Sequence, residues 1–138
     1  MDKSNLFSSI SNKDRVFGKL CQEANSSHQN ENYLAALACL FVTAEQIIKY
    51  SLDKNDGNYS QCLIEANKKK IINDDEFRVL NNLREFRNVI FHENNYSSGI
   101  EIDNVFFPSD EDETNKIIYE KYSPEIFLLV ERILSKSI

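Results

Sequence analysis

Glu31-Asn-Tyr-Leu-Ala-Ala-Leu-Ala-Cys-Leu-Phe-Val-Thr-Ala-Glu-Gln-Ile-Ile-Lys-Tyr-Ser-Leu-Asp53 is the stretch whose reading decides the fold. Within it Leu34, Leu37, Phe41, Ala44 and Ile48 recur every three or four residues, and Leu40 and Ile47 widen the stripe. That spacing returns side chains to one face of an α-helix, so it predicts a helix over 31–53 with an apolar face to bury. Ala35, Ala36 and Ala38 favour the helix and let a neighbour approach closely. Asp53-Lys-Asn-Asp-Gly57 then stops it, with a glycine at its end.

The same periodicity extends outward. Leu6, Phe7 and Ile10, then Phe17, Leu20, Cys21 and Ala24, predict a first helix over about 3–27, with a kink or break where Lys13 and Asp14 interrupt the stripe. A shorter helix follows over 59–71, with Cys62, Leu63, Ala66 and Ile71 inward. Asn73-Asp-Asp-Glu76 supplies a cap and first-turn negative charge to a helix over 74–93, which buries Phe77, Leu80, Leu83, either Phe86 or the Arg87 stem, and Ile90. Residues 94–108 read as an irregular excursion holding at most one short strand, since Ile100 and Ile102 alternate briefly before Val-Phe-Phe-Pro108. Ser109 to Tyr122 reads as partly helical. Ser123-Pro124-Glu125 then has the signature of a new start, a capping serine with proline at the first helical position, opening a last helix over 124–136. With three glycines and two prolines in 138 residues, the expectation is one all-α domain, an up-and-down bundle of four to five helices.

Composition narrows the class without naming a function. Hydrophobic residues make up 41 % and charged residues 28 %, the balance of a globular chain. No apolar run looks long enough to span a membrane and no basic-then-apolar leader opens the chain, so a cytoplasmic protein without membrane attachment is expected. Cys21, Cys39 and Cys62 form no Cys-x-x-Cys pair and have few histidines to join them, so neither a zinc site nor a disulfide framework is expected. Neither a metal nor a cofactor is called for. The net charge of −6 is concentrated in residues 94–138, where 9 acidic side chains face 4 basic ones around Asp110-Glu-Asp-Glu113. Residues 61–93 are balanced at 6 and 6. Net acidity opposes nucleic-acid binding, which needs local positive potential, but leaves that segment free to supply it.

The chemistry sits in Leu83-Arg-Glu-Phe-Arg-Asn-Val-Ile-Phe-His-Glu93. Arg87 offers a planar fork of donors for a phosphate, and His92 is the side-chain type best suited to move a proton near neutral pH. Five residues turn an ideal helix by about 140°, so the two do not share a stripe, whereas Asn88 and His92 do. Convergence of Arg87 and His92 needs a shared groove, a loosened helix end, or a two-fold dimer in which one subunit's arginine meets the other's histidine.

Leu83-Arg-x-x-Arg87-Asn88-x-x-x-His92 resembles the signature of the HEPN superfamily, an arginine followed by a polar residue and, after four to six intervening residues, a histidine. The second helix, ending Ala44-Glu45-Gln-Ile-Ile-Lys49, and the compact helical size are similar too. The resemblance implies a homodimer whose two motifs face each other across a cleft. It implies metal-independent endoribonuclease chemistry on an RNA substrate, in a toxin–antitoxin or antiviral setting with an antitoxin or other protein partner. His92 would assist proton transfer, Arg87 would hold the scissile phosphate and Asn88 would orient either of them. Arg84, Lys68, Lys69 and Lys70 would contact the RNA backbone elsewhere. One departure stands out. Toxins of this type paired with a nucleotidyltransferase antitoxin commonly carry tyrosine two residues after the histidine, where this chain has Asn94 and its nearest tyrosine is Tyr96.

Structural roles compete for the same residues. Arg87 can be a packed, salt-bridged residue and His92 a C-terminal helix cap. Lys68–Lys70 can be a solvated face, Glu45 can pair with Arg84 or Arg87, and His28 reads as a turn residue without partners. A HEPN-like module that binds a protein or nucleotide partner without cutting is therefore the alternative. An antitoxin or immunity protein whose acidic surface mimics nucleic acid is a third class.

Overall fold

The apolar stripe of the decisive stretch becomes the centre of the molecule. The structure, a computed structural model, describes residues 3–54, 57–91, 99–108 and 111–136. Among these lie six helices, α1 (Lys3–Lys13), α2 (Arg15–Gln29), α3 (Tyr33–Ser51), α4 (Tyr59–Lys68), α5 (Asp74–Phe91) and α6 (Asp112–Lys136), and two strands, β1 (Gly99–Ile102) and β2 (Val105–Pro108). The fold is an all-α helical bundle. Its centre is α3, which packs on α2, α4, α5 and α6, while α1 folds back onto α2 and α6. Leu37, Leu40, Ile47 and Ile48 of α3 have no exposed surface, and they join Phe86, Ile118, Phe127 and Val130 in one continuous core.

α3 corrects one expectation. It is long and apolar enough to cross a membrane by length and composition. The reason is that its outward face carries Leu34, Ala35 and Val42 as well as the buried stripe. Its inner face is spent on the bundle core.

The first predicted helix is broken at Asp14. Asp14 adopts an extended conformation, and its carboxylate accepts hydrogen bonds from the N–H groups of Val16 and Phe17 at 2.9 and 3.0 Å, capping α2. The two helices then approach so closely at Gly18 that a Cβ there would lie 2.7 Å from the Ser11 Cα. The start of α5 is a reciprocal capping box. The Asn73 side chain accepts from the Glu76 N–H at 2.8 Å, and the Glu76 carboxylate accepts from the Asn73 N–H at 2.9 Å. Arg132 fastens this corner to α6 by donating twice to Glu76, at 2.8 and 3.1 Å, and once to the Ile71 carbonyl at 2.9 Å.

Two elements differ from expectation. Residues 99–108 form an antiparallel hairpin, with Ile102 opposite Val105 and Gly99 opposite Pro108. Its two-residue turn, Asp103-Asn104, has φ of 51° and 66°. Those are the left-handed values a tight hairpin turn requires, and Asp and Asn tolerate them better than other residues with a Cβ. The expected break at Ser123-Pro124 is absent, and α6 runs unbroken through Pro124. Proline removes the hydrogen bond to the carbonyl four residues back, here Glu120. Both Glu120 and Pro124 face solvent, where water can take that carbonyl, while Tyr122, Ser123, Ile126 and Phe127 beside them are buried.

Candidate functional site

Helices α3, α4 and α5 converge where the motif begins. Arg87 stands on the last turns of α5, one turn after Leu83 and next to Phe86, both buried, so the helix's inward stripe fixes which way the arginine leans. Its Nη1 donates to Glu45 Oε1 of α3 at 2.5 Å. The other oxygen, Oε2, accepts from Lys49 one turn further along α3 at 2.8 Å. The Arg87 guanidinium carbon lies 5.7 Å from the centre of the Tyr59 ring, at the start of α4. Side-chain exposure is 26 % for Arg87, 21 % for Glu45 and 12 % for Lys49. The cluster is thus held firmly yet open on one side.

Its electrostatics follow from burial and pairing. Burial works against the charged form of Glu45, but the hydrogen bonds from Lys49 and Arg87 outweigh it and hold the carboxyl below its ordinary range. Burial, with the Glu45 charge adding to it, pushes the Tyr59 phenol well above its usual value, so it stays protonated. Tyr59 and Arg87 meet Phe41, Ala44, Leu83 and Arg84 along a narrow crevice with no room for a water molecule. The Tyr59 hydroxyl and the Arg87 Nε are both buried, with no hydrogen-bond partner among the described residues. Arg84 lines the same crevice and turns its guanidinium back along α5 to the side-chain Oδ1 of Asn81, at 3.2 and 2.9 Å. Among the described residues Arg84, Arg87 and Lys49 outnumber the single carboxylate of Glu45, so this part of the site is locally positive in a chain of net charge −6.

The remaining sequence-derived candidates distribute unevenly. Asn88 follows Arg87 on α5 and is half-buried. His92 lies outside the described residues, as do Asn94, Asn95 and Tyr96; α5 is described up to Phe91. Lys68, Lys69 and Lys70 stand at the far end of α4, about 14 Å along the helix axis from Tyr59. Lys69 is paired with Glu65 at 3.2 Å, and Lys70 has φ of 59° in the turn that leaves the helix. The structure does not bring these lysines to Arg87.

Lys49 and Tyr59 were missed by sequence reasoning. The i, i+4 spacing of Glu45 and Lys49 was a usable signal, whereas nothing local marks Tyr59 as a neighbour of α5. His28 also departs from expectation. Its Nε2 lies 3.3 Å from Glu120 Oε1, and its ring stacks on Tyr119 at 4.6 Å and meets Tyr33 edge-on at 5.5 Å. Tyr119 and Glu120, far away in sequence, help fill a site that its polar neighbours made look empty. Cys21, Cys39 and Cys62 are free thiols. No family model, curated protein or solved structure matches the chain.

Proposed function

We propose that this protein is a metal-independent endoribonuclease of HEPN type, a homodimer acting as a toxin or antiviral-defence effector. The observation that carries the proposal is the open, locally positive cluster of Arg84, Arg87 and Lys49 around a single carboxylate, five residues before the only histidine of the motif. An arginine restrained through one nitrogen and braced on an aromatic ring loses little freedom on taking up an oxyanion. In the proposed reaction the RNA 2′-oxygen attacks phosphorus and the bond to the 5′-oxygen breaks. A base takes the 2′-hydroxyl proton, and an acid returns a proton to the departing 5′-oxygen. His92 serves one or both transfers, Arg87 neutralises charge growing on the phosphoryl oxygens, and Asn88 orients the phosphate or the imidazole. The products are a 2′,3′-cyclic phosphate and a 5′-hydroxyl. Arg84 is the nearer candidate for a further backbone contact, and Lys68–Lys70 would reach RNA only at a distance from the scissile bond.

The test is cleavage of RNA by the purified chain in EDTA, with end-group analysis of the products. Arg87→Ala and His92→Ala are each expected to lower the rate at least about a hundredfold; His92→Ala keeps the melting temperature near that of the parent, and Arg87→Ala, which leaves Glu45 with Lys49 alone, lowers it while the protein stays folded. The second reading, a helical module that binds a protein or nucleotide partner without cutting, is favoured by one observation: Arg87 is already bonded to Glu45. Absence of cleavage in all three proteins, equally folded, would establish it.

A further inference from the structure

We infer that Glu45 is a built-in competitor for the phosphate that Arg87 takes up, so that RNA binds only as this carboxylate gives up the arginine and falls back on Lys49. The inference rests on the phosphate-binding role proposed above for Arg87. A guanidinium can grip an oxyanion with two parallel hydrogen bonds along either of two edges, Nε with Nη2 or Nη1 with Nη2. The first edge is closed, because Nε is itself buried, on a side chain that borders a crevice of Phe41, Ala44, Tyr59 and Leu83 too narrow for water. A phosphate is larger than water and cannot reach it. The second edge is the one left, and its Nη1 is bonded to Glu45 at 2.5 Å.

A phosphate on that edge with Glu45 in place would set two anions against one donor, at a site too enclosed for water to screen them fully. Glu45 has a second anchor within reach. Its other oxygen already accepts from Lys49, whose side chain is nearly buried and belongs to the same helix. Exchange of carboxylate for phosphate therefore leaves Glu45 paired with Lys49 and Arg87 paired with RNA, and no charge is stranded. The pair seen here is the resting form of the site, in which the protein's own carboxylate takes the place of the ligand's anion.

Binding of a fluorescent single-stranded RNA oligonucleotide separates the cases. It is measured by anisotropy in EDTA on the full chain carrying His92→Ala, so that the RNA survives. Adding Glu45→Gln removes the competing charge but keeps an oxygen for Lys49, and it is expected to tighten binding about tenfold. It should also steepen the fall of log affinity with log salt by up to roughly 0.7, because loss of the carboxylate raises by one the net positive charge that the site brings to the strand. The salt slope does not depend on the fraction of active protein, so partial unfolding of the variant cannot imitate it. Unchanged or weaker binding by Glu45→Gln, with an unchanged slope and with Arg87→Ala weaker than the parent, would overturn the inference and leave the role of Arg87 standing. Equal binding by Arg87→Ala and its parent would sink that role, and the inference with it.

Discussion

The Glu45 carboxylate shows how much of a site one side chain can organise, since it holds Arg87 from α5 and Lys49 from α3 with separate oxygens. Its folded-state pKa lies below the ordinary value of 4.5. A depressed carboxylate pKa contributes stability that is fully present above the unfolded value and is lost as pH falls through the folded one. Glu45→Gln is therefore expected to cost about 1–2 kcal/mol at neutral pH, with the gap to wild type closing as pH drops below 4.5. Urea denaturation of both proteins between pH 7 and pH 3 measures it; a gap constant across that range would exclude a charged Glu45 as the source. From sequence, Arg84 and Arg87 were equal candidates for this pairing. They sit about 60° apart around the helix, too little for periodicity to decide. Tertiary packing decided, because Arg84 bends back to Asn81 while Arg87 faces α3. His28 was beyond sequence for the same kind of reason, its carboxylate partner Glu120 lying 92 residues away.

Whole elements were more legible than single contacts, and their exceptions are physical. The boundaries at Asp14 and Asn73 fall where capping chemistry and lost periodicity put them, and α3 ends at Ser51, two residues before the expected stop. Pro124 is the instructive failure. Its local signature is that of a helix start, yet Ile118, Tyr119 and Tyr122 before it and Ile126, Phe127 and Val130 after it all enter one core, and their joint burial holds a single helix together. Because Pro124 then sits mid-helix at an exposed position, Pro124→Ala restores an N–H to the Glu120 carbonyl. It is expected to raise stability by about 1–3 kcal/mol, read as a higher urea midpoint. No gain, or a loss, would mean that the chain uses proline as a true first helical residue. The hairpin was missed because Asp103-Asn104 is a weaker turn signal than Asn-Gly, and because Phe106 and Val105 remain exposed and blur the alternation.

At the scale of the molecule the open question is what a second copy contributes. Arg87 and His92 cannot share a stripe of one ideal helix, so the proposed site is composite, and a homodimer lets each motif complete the other. Two outcomes are expected together. Light scattering should give twice the 16.0 kDa chain mass. Mixing Arg87→Ala with His92→Ala subunits should restore part of the RNA cleavage that neither variant shows alone, since such a heterodimer keeps one intact arginine and one intact histidine. Monomeric active protein would place both residues within one chain.

By itself the sequence determined the class of fold and marked the residues on which the proposed site rests. Apolar periodicity and the scarcity of breakers leave a helical bundle as the way to bury the Leu37–Ile48 stripe and its counterparts, and residue types alone mark Arg87, Asn88 and His92. Only the tertiary structure decided that Glu45, Lys49 and Tyr59 surround the arginine, that Lys68–Lys70 stand away from it, and that α6 ignores its proline. The reason is range. Periodicity and capping act over one or two turns and are written in neighbouring residues, whereas an ion pair between α3 and α5 depends on the relative rotation of two packed helices, which the whole core sets at once.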